Sequence, residues 1–247
     1  MNKTINATTV KLGIYETSTD PQLEGMLGQP KELEDGRKFR LCKNGAGALT
    51  AGILVQSVVS LTSDDSLEIA TSQSIGDREV CVTADATSLH AVHSLAGGYL
   101  VMSDTTGDIG TFYKIKDNEA LTSGANCIIT LCDPLTTAIV AGTNECTICV
   151  NPYNGVIIDA NTALLVGVPL IAVAASTATV PVFFWALCEG IGPGTDSGTG
   201  ISAGDYLEHA GGDLALITTG DIEALVAVAV TAIASSECGI VKYIAMG

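Results

Sequence analysis

The chain reads as an all-β protein, a multi-stranded β-sandwich or barrel-like domain with an extended N-terminal arm. Three observations carry that expectation. Short apolar runs rich in Val, Ile and Thr alternate with Gly, Asn, Asp and Ser clusters from Phe39 to the end. Charged residues make up only 15% of the chain, against about 25% in an ordinary globular protein. Gly, at 27 residues, is abundant where turns are expected.

Taken in order, residues 1–35 lack sustained periodicity and hold Pro21, Pro30, Gly25 and Gly28 among polar residues. This predicts an extended arm that crosses other structure instead of building a core. Residues 36–247 then form the β-rich domain. Strands are expected at 53–59, 99–102, 111–116, 127–131, 147–150, 156–158, 182–188, 214–217 and 240–245, each a short apolar or alternating run. The Ala-rich stretch 224–234 is also read as a strand, because Val226, Val228, Val230 and Thr231 are β-branched. Asn154-Gly155 suits a tight turn, as both residues tolerate positive φ. Residues 163–188 carry no charge, but Pro169, Pro181 and the polar group Ser176, Thr177 and Thr179 break the run. Two buried strands and a turn explain it better than a membrane span.

Internal similarity is visible in the turns. Leu49-Thr50-Ala51-Gly52, Leu121-Thr122-Ser123-Gly124 and Ile201-Ser202-Ala203-Gly204 each follow a run that contains an aromatic residue. A repeated strand-turn-strand unit near 36–60, 110–131 and 182–207 is the economical reading.

The formal net charge is −16. That balance opposes nucleic acid, whose backbone is recognised by cationic side chains. Lys31, Arg37, Lys38, Arg40 and Lys43 are the exception, five of the chain's 11 cations crowded into one short segment. They are the candidate contact residues for a partner. Residues 1–10 show no basic stretch followed by an apolar one, so synthesis in a cytoplasm is expected.

No convergent set of catalytic groups stands out, and neither a cofactor nor a metal is expected. Cys146 and Cys149 would face opposite sides of a strand, which is wrong for a shared zinc. The eight cysteines read mainly as small packing residues, with any disulfide left open. His90 and His93 read as surface or packed residues, and His209, beside Gly211-Gly212, as a turn residue. Asp64-Asp65 and Asp104 read as solvated turn acids, and Phe183-Phe184-Trp185 as a core or interface anchor with glycan stacking as the sharper alternative. Residues 194–200, GTDSGTG, lack the spacing of a nucleophile elbow and read as a loop.

Five stretches in order carry a family resemblance: DGRKFRLCKNGAGALTAGILVQ (35–56), AGGYLVMSDTTGDIGTFYKIKDNEALTSG (96–124), CVNPYNGV (149–156), VGVPLIAV (166–173) and FFWALCEGIGPG (183–194). Together they resemble the head decoration or capsid-stabilising proteins of tailed bacteriophages. The resemblance implies a virion structural protein, not an enzyme, made in the host cytoplasm and seated on the outer capsid surface. Its implied partners are the major capsid protein and further copies of itself, a trimer by analogy. A receptor- or glycan-binding virion module is the alternative.

Overall fold

The computed structural model describes residues 11–103, 110–217 and 225–246. The protein is nearly all β, with barrel-like sheets. The single domain expected over 36–247 is divided: one compact unit comprises Met1–Ser57 and Tyr153–Gly247, and a second comprises Val58–Pro152.

Strands of the first unit are β1 (Pro30–Glu32), β2 (Lys38–Asn44), β3 (Val55–Gln56), β10 (Asn154–Ile158), β11 (Leu165–Pro169), β12 (Phe183–Thr195), β13 (Tyr206–Ala210), β14 (Asp213–Leu216), β15 (Ala227–Ala229) and β16 (Cys238–Tyr243). Those of the second are β4 (Leu67–Glu68), β5 (Glu79–Thr83), β6 (Tyr99–Met102), β7 (Phe112–Asn118), β8 (Asn126–Leu131) and β9 (Glu145–Cys149).

In the first unit the order β2-β10-β3-β11-β12 is closed by a β2–β12 pairing, which makes a five-stranded ring. The continuation β12-β16-β15-β13-β14 is closed in turn by a parallel bridge between Asp196 and Leu214. The two rings share the 13-residue β12, and burial of both faces at its start is why the run FFWALC has no polar alternation. Phe184 and Ala186 fill the first ring with Cys42, Val55, Val156 and Val166, while Phe183, Trp185 and Leu187 on the opposite face join the larger core with Phe39 and Leu41. A strand buried on both faces reads as continuously apolar.

β12 also runs on through Gly190, Gly192 and Gly194, beyond the expected end at 188. A Cβ on Gly194 would lie 2.5 Å from Leu214 Cδ1 and 3.0 Å from the Tyr243 hydroxyl, so the bare backbone admits both side chains. The Tyr243 hydroxyl donates to the Pro193 carbonyl at 2.7 Å.

The second unit is a six-stranded ring in the order β4-β9-β6-β7-β8-β5, closed by a bridge between Ile69 and Val82. Two of its segments cross at an antiparallel bridge. Gln73 and Ile139 exchange both backbone hydrogen bonds at 3.0 Å, Gly76 N–H donates to Leu135, and Gly142 N–H donates to Ile69. β5 and β9 follow these two crossings and pair with β8 and β6 respectively.

The crossing recurs in both units among the described residues. At seven positions among the described residues, one in an isolated bridge is followed three positions later by one with positive φ, and then by a strand. Leu49, Leu121 and Ile201, the three sites legible in the sequence, lead to Gly52, Gly124 and Gly204 at φ 82, 67 and 91°. Gln73, His90, Ile139 and Ile233 do the same, with His93 and Ser236 taking the place of glycine at φ 66 and 61°. The partners are Leu49↔Val173, Gln73↔Ile139, His90↔Leu121 and Ile201↔Ile233.

Several expectations change. The first ten residues of the arm lie outside the described residues. Residues 11–35 pack on the barrel: Leu12 and Leu23 are buried in the larger core, Ser18 bridges Phe183, and β1 pairs with β2. Asn154-Gly155 is a bulge inside β10, where the register to β2 shifts, so the positive φ of Gly155 re-aims a strand instead of reversing it. Of the stretch 224–234, residue 224 lies outside the described residues, and among 225–234 only Ala227–Ala229 is strand, because Val230 enters the bend before the Ile233 crossing. His209 lies within β13; Gly211 and Gly212, at φ 61 and 97°, make the β13–β14 turn alone.

Candidate functional site

Lys31, Arg37, Lys38, Arg40 and Lys43 all fall on or beside β1 and β2, which form a hairpin: Arg37 and Lys38 lie at its turn, Lys31 and Arg40 within the paired stretch, and Lys43 near the far end of β2. Each is engaged within the first unit. The Lys31 ammonium donates to the Leu12 carbonyl at 3.0 Å and lies 5.0 Å from the centre of the Trp185 ring. The Trp185 indole N–H donates to the same carbonyl at 2.9 Å. Arg40 Nη1 reaches the Gly28 carbonyl at 3.2 Å, and Lys43 pairs with Glu24. Arg37 Nε meets Asp35 Oδ2 at 2.7 Å, and Lys38 Nζ meets Glu189 Oε2 at 2.8 Å. Lys31, Arg40 and Lys43 thus fasten segment 11–35 to β2 and β12, a task the sequence did not suggest.

The fold brings Lys31, Lys38 and Arg40 to one cleft of about 220 Å³, whose lining also includes Phe39, Cys188 and Glu189. Arg37 and Lys43 do not line it. Three cations face two acids there, Glu32 and Glu189, so the cleft carries a positive excess in a chain of charge −16. Lys38 and Glu189 are 45% and 37% exposed in their side chains, which makes their pair easily exchanged for another carboxylate. The hydrogen bond that Lys38 donates to Glu189 raises its pKa, so its ammonium stays charged at neutral pH. Burial pushes the Cys188 thiol up, with the charge of Arg40 opposing, and the thiol donates to the Lys38 carbonyl at 3.2 Å. A protonated, hydrogen-bonded thiol is a packing group here. The arrangement suits an anionic side chain.

All three histidines of the chain sit against aspartates. His90 Nε2 is 2.9 Å from Asp64 Oδ1, which also accepts from the Ser88 hydroxyl at 2.7 Å, and Asp64 is only 2% exposed. Asp64 is therefore a buried pin, not the solvated turn acid expected. It ties the chain before β4 to the His90 crossing. His93 Nδ1 lies 2.6 Å from Asp117, whose carboxyl this contact holds below its ordinary range. His209 Nδ1 lies 2.9 Å from the fully buried Asp159. Asp104 lies outside the described residues. Cys146 is buried and Cys149 half-buried on the other face of β9, as their spacing requires. Among the described residues no group of three or more His, Cys, Asp or Glu could hold a metal.

One surface feature escaped the sequence reading. Tyr99 and Phe112 stack with ring centres 5.0 Å apart on the outer face of the second barrel, and Phe112 is 61% exposed. The signal was the alternation of β7, in which Phe112 shares its face with Lys114 and Lys116. Trp185, by contrast, is 3% exposed beneath segment 11–35, so the Phe183–Trp185 cluster is no sugar platform. No helix among the described residues is long and apolar enough to cross a membrane. Comparison with protein-family models, with curated proteins and with solved structures finds no match for this chain.

Proposed function

We propose that this protein is a virion structural protein that binds the outer surface of a phage capsid and stabilises it, with no catalytic step. The observation that carries the reading is the segregation of Lys31, Lys38 and Arg40 into one cleft of an otherwise strongly acidic chain. Support comes also from the ordered sequence resemblance to decoration proteins and from barrels whose interiors are filled by side chains. In this reading the major capsid protein offers an acidic side chain to the cleft, and it takes the place of Glu189 on Lys38. Further copies of the chain, three by analogy, share each attachment point. Acidity elsewhere suits a face turned away from packaged DNA.

Deleting residues 2–35 is a poor test, since Leu12 and Leu23 belong to the core. The better test is binding of the full chain to purified capsids that lack it, followed by electron microscopy. Lys38→Glu should weaken binding at least tenfold, and Lys242→Glu on β16 should not. Equal binding by wild type and Lys38→Glu refutes the cleft as the contact, and absence of added density on the outer shell refutes the capsid reading.

A second reading, a glycan-binding virion module, is favoured by the exposed Tyr99–Phe112 stack. It requires an oligosaccharide on a glycan array that binds wild type and is lost in Phe112→Ala. No bound glycan rules it out.

A further inference from the structure

We infer that Val58–Pro152 is an independently folding module inserted into a β-hairpin of the first unit, and that the two units unfold as separate cooperative bodies. The junction is the first observation. β3 and β10 pair antiparallel, Gln56 with Ile157 and Val55 with Ile158. They are therefore the two arms of one hairpin, and the connection between them is the whole second unit. An antiparallel pair places the ends of that connection about 5 Å apart, and the entropic cost of closing a loop grows only slowly with its length. The hairpin can form whatever the connection contains.

The second observation is that the insert completes itself. Its six strands form a closed ring, which leaves no edge that needs a strand from the first unit. Its core, from Leu67 and Ile69 through Leu100 and Ile115 to Ile148, draws only on residues of the insert. The two cores of the first unit contain no residue of the insert. Two of its buried polar side chains, Asp64 and Asn118, find their partners within the insert. Asp64 is met by Ser88 and His90, and Asn118 donates to the Ala91 and Glu119 carbonyls while accepting from Leu95 N–H. The length of the insert exceeds the roughly 60 residues at which domains commonly fold alone.

The consequence is a division of labour available to the chain. Substitutions in the insert can change its surface, including the Tyr99–Phe112 pair, without changing the stability of the Lys31, Lys38 and Arg40 cleft. The reverse also holds.

Hydrogen exchange of the full chain, resolved by peptide mass spectrometry in sub-denaturing urea, tests this. Leu100→Ala, in the insert core, should speed exchange about a hundredfold or more in peptides from 58–152. Peptides from 11–57 and 153–246 should stay within twofold of wild type. Leu187→Ala, in the core of the first unit, should do the converse. If Leu100→Ala leaves the insert unfolded even without urea, retained protection in β2, β12 and β16 still supports the inference. Acceleration that spreads to both units in either variant overturns it.

Discussion

Gly124→Ala isolates the conformational demand of the recurrent crossing. Gly124 follows the Leu121 bridge at φ 67°, and a Cβ placed on it would meet nothing within 4 Å. The substitution therefore adds no clash, and its whole effect comes from the left-handed backbone. An L-residue there costs about 1–2 kcal/mol, because its Cβ crowds the following carbonyl. Restriction of the unfolded chain returns about 0.4–1 kcal/mol. At the midpoints of these ranges, about 1.5 and about 0.7 kcal/mol, the net loss is about 0.8 kcal/mol, which lowers the melting temperature of a barrel this size by about 3–6 °C at roughly 4–8 °C per kcal/mol. Gly124→Asn should cost less than alanine, since its side chain tolerates this conformation through local hydrogen bonding. Ser236→Gly, which relieves a side chain held at φ 61°, should raise the melting temperature of the first unit or leave it unchanged. Thermal unfolding followed by circular dichroism reads all three. A Gly124→Ala protein that melts at or above wild type, or an asparagine as costly as alanine, refutes the reasoning.

Three further outcomes are expected. Tyr243→Phe removes the donor to the Pro193 carbonyl that ties β16 to β12, and urea unfolding should show a loss of about 0.5–1.5 kcal/mol with unchanged slope. Burial pushes the Asp196 carboxyl up, but N–H groups of Gly200, Ser236 and Gly198 with the Thr199 hydroxyl outweigh it and hold the pKa below 3.8. Because the folded value is depressed, this stabilisation is present above the ordinary carboxylate pKa and is lost as pH falls below it; urea midpoints between pH 6 and 2 should fall less steeply in Asp196→Ala. Cys132 and Cys238 are exposed and should be alkylated first by a maleimide in the native protein. Cys146, whose thiol burial pushes up to about 12, should react only after denaturation, and its early labelling would contradict a closed second barrel.

Much of the fold was legible because a strand announces itself locally. The alternation in Phe112–Asn118, the apolar run at Phe183 and the paired glycines before Asp213 each report the environment of a few neighbouring residues. β5 and β13 went unread, since Glu79–Thr83 and Tyr206–Ala210 are short and partly charged. Four of the seven crossing positions among the described residues, Gln73, His90, Ile139 and Ile233, went unread, because a bridge joins two distant segments and Gln73 and His90 share no residue type with the partners Ile139 and Leu121 that they meet. Of the candidate site, the five cations were visible as a cluster, but their partners Leu12, Glu24, Gly28 and Glu189 come from elsewhere in the chain.

The sequence by itself determined that the chain is β-rich, acidic and turn-dense, with its glycines placed where L side chains are strained. Only the tertiary structure decided that β2 and β12 close one ring and Ile69 and Val82 another, that the barrel 58–152 interrupts a hairpin, and that Trp185 lies under segment 11–35. The physical reason is range. Strand propensity and positive φ are set by adjacent residues, whereas ring closure, the joining of Lys38 to Glu189 and the burial of an indole depend on segments far apart in the chain, whose pairing no local pattern records.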